Sequence, residues 1–406
     1  MVHLNVRKSL ATALCILQYG TWAQTWQRLT DFPGFHRDDG VSFIIDNTAF
    51  CGTGLTPWFA PLADFEAFDL STESWSSIAP IPAGNERQYA SAFSLNGKGY
   101  VFGGIGNKPF NDLWQYDPQT DIWQQMKHLP DSGRSGSTSF VLNGYAYICG
   151  GRSSSSIALA EIWVYDPLSN DWSQKTNLTF GARWRACSAT INNTAYLLFG
   201  QDENHHFHNE LYSYEPSSDT WSIAGYFPGP GRTHAAMQAI NGHLVVFGGR
   251  DSLNNYDDTL WSFNPTDGSW KALNNSPFHG RKGGMTFTNG TDFYYTTGID
   301  SSNTRLQESW KCSSPVIGIE KFTTPSFKLY PNPATDVVNL DLPGHTTAQK
   351  TEYKLYGLEG NLLIEGTTFE GSVSIRLDSL RPGIYIVQVK DATGSSHTHT
   401  LKVISL

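Results

Sequence analysis

Residues 87–123 decide the fold: Arg87-Gln-Tyr-Ala-Ser91-Ala-Phe-Ser-Leu95, Asn96-Gly97, Lys98-Gly-Tyr-Val-Phe102, Gly103-Gly104, a variable loop, Asp112-Leu-Trp-Gln-Tyr116, the turn Asp117-Pro118-Gln-Thr, and Trp123. Apolar residues alternate with polar ones, and Asn-Gly suits the tight turn whose twist matches that of its flanking strands. The stretch therefore predicts a four-stranded antiparallel unit opening at the first Arg and ending on the Trp strand.

The unit repeats along the chain. Trp26, Trp75, Trp123, Trp172, Trp221 and Trp270 stand 48 or 49 residues apart. Arg87, Arg134, Arg183, Arg232 and Arg281 each precede Gly104, Gly151, Gly200, Gly249 and Gly298 by 17 residues; Arg37 and Gly52 are read as the same pair two residues shorter. A period near 50 with four strands per unit indicates a propeller blade. The last unit, Arg281 to Cys312, has only three strands and lacks a Trp strand, which Thr25-Trp26-Gln-Arg-Leu-Thr supplies. Six blades closed by the N-terminal strand follow, with no sheet edge left open.

Composition agrees with an all-β chain. Of 406 residues, 16% are charged and 38 are Gly, which excludes a coiled coil and long disorder. All 13 Trp lie at or before Trp310. Residues 1–23, with Arg7 and Lys8 before a short apolar run and Thr21-Trp22-Ala23 at its end, read as a signal peptide cleaved after Ala23. Leu14 is too bulky for Cys15 to serve as a lipoprotein cysteine. Nothing later is apolar enough to span a bilayer as a helix. The propeller, 24–315, carries 18 basic against 28 acidic residues, which argues against nucleic acid and for a neutral ligand, a cation or a basic surface. Cys149 and Cys187 fall on one face of successive blades, about one sheet spacing of 10 Å apart, too far for a disulfide, and read as buried thiols.

After a linker at 316–326, residues 327–406 change pattern: short alternating runs at Val337–Leu342, Tyr353–Leu358, Val373–Leu377, Ile384–Lys390 and Thr398–Val403 predict a small Ig-like β-sandwich.

Two resemblances follow from these residues. The Gly-Gly doublets and the separation of seven in Tyr116/Trp123, Tyr165/Trp172 and Tyr214/Trp221 resemble the kelch repeats. The tail resembles the Por-type C-terminal sorting domain (type A) of the type IX secretion system. It matches through Leu329-Tyr330-Pro331-Asn332-Pro333-Ala-Thr-Asp336, Tyr356-Gly-Leu-Glu-Gly-Asn361, Leu380-Arg-Pro382-Gly383-Ile-Tyr385-Ile-Val387 and Lys402-Val-Ile. That resemblance implies engagement of the type IX machinery and its sortase, and a location in the medium or on the outer-membrane surface of a Gram-negative bacterium.

Candidate ligand residues are those at the start of each inner strand and in the loops between second and third strands: Arg37, Trp58, Arg87, Arg134, Arg152, Arg183, Trp184, Arg232, Arg250, Tyr256 and Arg281. Aromatics beside hydrogen-bonding groups suit a sugar. The repeated arginines have an alternative reading, as hydrogen-bond partners of loop carbonyls or of an acidic residue in the next blade. Arg183 and Trp184 are expected to touch ligand, so replacing them by Ala is expected to weaken binding with little change in melting temperature. His205, His206 and His208 offer a metal site, although adjacent histidines do not all aim at one ion from a regular strand, and no cofactor is expected. The main reading is a secreted or surface binding module for a glycan or protein. Two kelch enzyme types supply the alternative. The galactose oxidases use a Tyr-His step that this chain lacks, and the sialic acid mutarotases need an acid/base pair in the channel, for which Glu203 or Glu86 is the candidate.

Overall fold

The computed structural model describes residues 25–316, 327–342, 350–357, 361–390 and 396–404. The signal segment, most of the linker and the tail's remaining residues lie outside the described residues. The chain divides into two compact units at Ile317/Gly318, each described by itself.

In the first unit the period of 49 becomes six four-stranded antiparallel sheets. Their innermost strands, Val41–Ile45, Ser91–Leu95, Thr138–Leu142, Cys187–Ile191, Ala236–Ile240 and Met285–Thr288, neighbour one another in that order and return to the first, so the sheets stand around one axis. Thr25–Arg28 pairs antiparallel with Ser309–Ser313 and is the outermost strand of the sixth sheet. First and last segments of the ring are thus hydrogen-bonded within one sheet.

The separation of seven has a simple cause. Tyr116 lies directly across from Trp123, as Tyr165 does from Trp172 and Tyr214 from Trp221. The ring centroids stand 4.9–5.1 Å apart, and Phe263/Trp270 and Phe68/Trp75 match them at 5.0 and 4.8 Å. Such pairs add about 0.5–1.5 kcal/mol beyond the apolar area they bury. On the closing strand Trp26 faces Cys312 and instead packs on Phe247 and Phe278.

The turn residues hold left-handed backbone, as the Asn-Gly reading requires: φ is 52° and 70° at Asn96 and Gly97. One assignment is corrected. The left-handed pair of the first blade is Thr53-Gly54, not Cys51-Gly52, which lies in a strand. Arg37 therefore precedes its glycine by the same 17 residues as every other copy. Cys51, Cys149, Cys187 and Cys312 are free and buried, and burial pushes the Cys187 thiol up to about 12.

The second unit is a sandwich of a three-stranded sheet (Lys328–Tyr330, Val337–Asp341, Ser372–Arg376) and a four-stranded one (Leu362–Thr368, Thr351–Gly357, Gly383–Lys390, Ser396–Val403). Val338, Leu340, Leu355, Ile375, Val387 and Leu401 fill its core. The Tyr330–Asp336 segment docks on the last strand. Asn332 accepts the Lys402 N–H at 2.9 Å, Ala334 and Lys402 share a backbone bond of 2.8 Å, and the Asp336 carbonyl accepts the Leu377 N–H. Tyr385 donates its hydroxyl to the Arg381 carbonyl at 2.6 Å, next to Pro382 and Gly383.

Candidate functional site

The six repeated arginines are turned into their blades. Arg37, Arg87, Arg134, Arg183, Arg232 and Arg281 are all buried. Each sits at the head of its blade and is consumed inside it. Arg87 makes a bidentate pair with Asp112 at 2.7 and 2.8 Å and donates to the Gly103 carbonyl, with Phe110 stacked on its guanidinium. Arg37 holds Asp64 in the same bidentate way, and Arg134, Arg232 and Arg281 reach Glu161, Asp257 and Glu308 through one guanidinium nitrogen each. Arg183 lies on Phe180 and donates to the Ala182 carbonyl. Five of the six thus fit the alternative reading, as partners of carboxylates and carbonyls of their own blades, while among the described residues Arg183 has no carboxylate partner and Arg134 Nε and Nη1 have no hydrogen-bond partner.

Two residues further on the repeat breaks down chemically while its backbone persists. Asp39, Tyr89, Gly136, Arg185, His234 and Gly283 all have φ between 56° and 64°. Their backbones form a closed cycle around the axis. Each N–H donates to the carbonyl of the corresponding residue in the preceding blade, Tyr89 to Asp39, Gly136 to Tyr89, Arg185 to Gly136, His234 to Arg185, Gly283 to His234 and Asp39 to Gly283, at 2.6–3.4 Å. The glycines at two positions make room. A Cβ on Gly136 would stand 2.6 Å from Trp184 Nε1, and one on Gly283 2.5 Å from Asp39 Oδ1.

Around this cycle lies the charged cluster. Asp38 is ion-paired with Arg305 at 2.5 Å, while Asp39 keeps its carboxyl beside His234, whose Nε2 is 3.9 Å from Oδ1 and has no hydrogen-bond partner. Burial, reinforced by Asp38, pushes the Asp39 carboxyl up to about 7, against the opposing pull of Arg185, the Tyr89 hydroxyl and Lys282. The same burial, with Arg185, Lys282 and Arg250 nearby, holds the His234 imidazole well below its ordinary value, and burial lowers Lys282. Arg185 is sandwiched between Tyr89 and Trp184, 3.9 and 3.8 Å from their ring centroids, with Arg152 on Trp184 as well. Tyr256 borders the cluster through Lys282, and Arg250 reaches Asn254 at 3.2 Å.

The mouth is thus cationic where the whole propeller is acidic. Arg185 and Lys282 act on the one carboxyl that burial pushes up, Arg250 lies with them near His234, and the second carboxylate, Asp38, is paired with Arg305. A net charge summed over the propeller does not describe the charge at its axis.

The remaining sequence candidates scatter. Trp58 is 61% exposed at the tip of the first-blade loop, edge-on to Phe35, and Phe59 lies 70% exposed over Arg305. His206 and His208 both approach Asp202 Oδ2, at 3.5 and 3.2 Å, and His208 also approaches Glu210. The His205 carbonyl accepts from Gln201. Among the described residues no three His, Cys, Asp or Glu side chains are grouped to hold a metal ion. Glu203 is exposed on its loop, and Glu86 accepts from the Gly84 N–H. Asp39 and His234, which sequence reasoning missed, are the titratable pair at the axis.

A family model described as the Attractin/LZTR1 β-propeller matches residues 127–357, and one described as the KLHDC2/KLHL20/DRC7 kelch-repeats domain matches 41–200. The chain belongs to the kelch-repeat β-propeller family. This propeller is followed by a secretion system C-terminal sorting domain, whose model matches residues 328–404. Among curated proteins it is similar to the N-acetylneuraminate epimerase of Shigella sonnei, 37% identical over 120 residues, which is 28% of this chain and 31% of that protein. It is also similar to N-acetylneuraminate epimerase 2 of Escherichia coli O6:H1, 36% identical over 149 residues, covering 34% and 38%. The chain spans about a third of the length of these relatives. The solved structure of YjhT superimposes with a TM-score of 0.62 at 19% identity, over 69% of this chain and 95% of that one, a likeness of fold. No helix among the described residues is long and apolar enough to cross a membrane.

Proposed function

We propose that the kelch propeller exchanges the anomers of a carboxylated sugar of the N-acetylneuraminate class, outside the cell. The observation that carries this reading is the placement of Asp39 beside His234 at the axis, Nε2 standing 3.9 Å from Oδ1, with Arg185 and Lys282 near the carboxyl, Arg250 near the imidazole, and burial raising the one pKa and lowering the other. The cations hold the sugar carboxylate. Ring opening then needs one proton given to the ring oxygen and one taken from the anomeric hydroxyl. Protonated Asp39 gives the first, and His234 Nε2 takes the second as the ring C–O bond breaks. Rotation of the open-chain ketone and the reverse transfers close the ring on the other face, leaving both groups as they began. Matching a catalytic pKa to the working pH is what makes one residue effective in both directions. The partial-length likeness to the epimerases supports the same chemistry.

Asp39→Asn is expected to slow equilibration of freshly dissolved sugar anomer, followed by NMR, by about 10²–10⁴-fold with melting temperature little changed. An unchanged rate refutes the assignment. The exposed Phe35, Trp58 and Phe59 favour a second reading, a glycan-binding module; sugar bound with no acceleration by the unmodified protein selects it. On the same footing, the tail engages the type IX machinery and its sortase, and the propeller is released or held at the outer-membrane surface. A chain ending at residue 316 is expected to stay in the periplasm of its host, and normal export would overturn this.

A further inference from the structure

Beside the axis, between the second, third and fourth blades, lies a cavity of about 430 Å³ into whose lining Tyr89 and Arg185 both extend. Its other charged residues are Lys108 and Arg152, and no carboxylate lines it. Five of the six repeated guanidiniums, and Arg305, are by contrast ion-paired with Asp or Glu. Arg152 instead donates to the Ser156 carbonyl at 2.7 Å and rests on Trp184. Three polar atoms of the lining are buried without a partner: Gln88 Oε1, Trp184 Nε1 and Arg185 Nε. Buried polar groups are ordinarily paired, so unpaired ones gathered on one cavity mark what a ligand satisfies. The volume admits a sugar-sized group.

We infer that the ligand carries two acidic groups, one held by Arg185, Lys282 and Arg250 at the axis and the other held in this cavity by Arg152 and Lys108. The inference rests on the reading of the axis as a sugar-acid site and adds a second anion subsite to it. The second acid is the carboxylate of a further sugar unit or an ester sulfate on the first; both present an oxyanion flanked by hydroxyls, which the cavity's serines and Asn107 accommodate.

Calorimetric titration of the full mature chain tests this with N-acetylneuraminate, its reducing disaccharide, and N-acetylneuraminate sulfated on its side chain. At least one doubly acidic sugar is expected to bind about tenfold more tightly than the monosaccharide, and which one does so identifies the source of the second acid. Lys108→Gln with Arg152→Gln is expected to abolish that advantage while leaving the monosaccharide Kd within about twofold. Monosaccharide binding with no advantage for either doubly acidic sugar overturns the second subsite and leaves the first standing, as does equal weakening of all three sugars in the double variant. Failure of all three to bind the unmodified chain overturns both.

Discussion

Two rings of residues, two positions apart in every blade, share a backbone register and nothing else. The first is six arginines, identical in type, buried, and tied by carboxylates and carbonyls into their own blades. The second is Asp39, Tyr89, Gly136, Arg185, His234 and Gly283, six residues with one conformation and five chemistries. The difference teaches how a repeat protein separates scaffold from site. What every blade needs, it repeats. The asymmetric chemistry that the proposed ligand would need falls where the repeat holds only the backbone fixed.

The pair Arg87→Ala and Arg185→Ala puts the contrast under strain. Removing Arg87 leaves Asp112 buried without its bidentate partner, a loss of about 3–5 kcal/mol by the rule for broken buried pairs. Chemical unfolding is expected to show that loss, whereas ligand contact is unaffected in whatever fraction remains folded. Arg185 holds no carboxylate in a direct pair and is stacked between Tyr89 and Trp184. Its removal is expected to cost about 2 kcal/mol of stability, the scale for a desolvated stacked cation and less than the loss at Arg87, and to abolish sugar-acid binding. Equal destabilisation by the two substitutions would erase the distinction between the rings.

Much of the scaffold was legible because its causes are local. Alternation, Asn-Gly turns and a Tyr-to-Trp separation of seven each have one structural solution, and their recurrence placed every blade. The Gly52 misreading arose because doublet spelling was weighed over spacing, when Thr53, despite the steric cost to a β-branched residue, holds the left-handed position that Gly takes in other copies. The site was half legible. Trp184, Arg152, Arg250 and Tyr256 stood out as departures from the repeat, and all four border the axial cluster or its cavity. Asp39 and His234 did not, although aligning the six copies two residues past each Arg displays them at once. The repeated Arg drew attention to itself, and conspicuous repetition is evidence of structural need. The likeness of the axis to an acid/base site was invisible in sequence because it depends on burial and on cations contributed by three other blades.

The titration of the axial pair gives the finest test of the contrast. Asp39 binds its proton more tightly folded than unfolded, 3.8 being the ordinary value and about 7 the folded one. Between those values the native state holds a proton that the unfolded chain has lost, so this group's contribution to stability is full below about pH 4 and falls as pH rises towards 7. His234 works the other way. Its folded value is depressed below 6.5, so the unfolded chain takes the proton first, and its contribution is full above that pH and falls as the solution is acidified. In the unmodified protein the two slopes oppose each other between pH 5 and 7. Asp39→Asn leaves the histidine slope alone, and its melting temperature relative to the unmodified protein is expected to climb steadily from pH 4 to 7. His234→Asn leaves the carboxyl slope alone, and the corresponding difference is expected to shrink as pH rises over the same range. If both differences stay flat with pH, Asp39 and His234 titrate alike in the folded and unfolded chains, and the axial ring has no more acid/base character than the arginines beneath it.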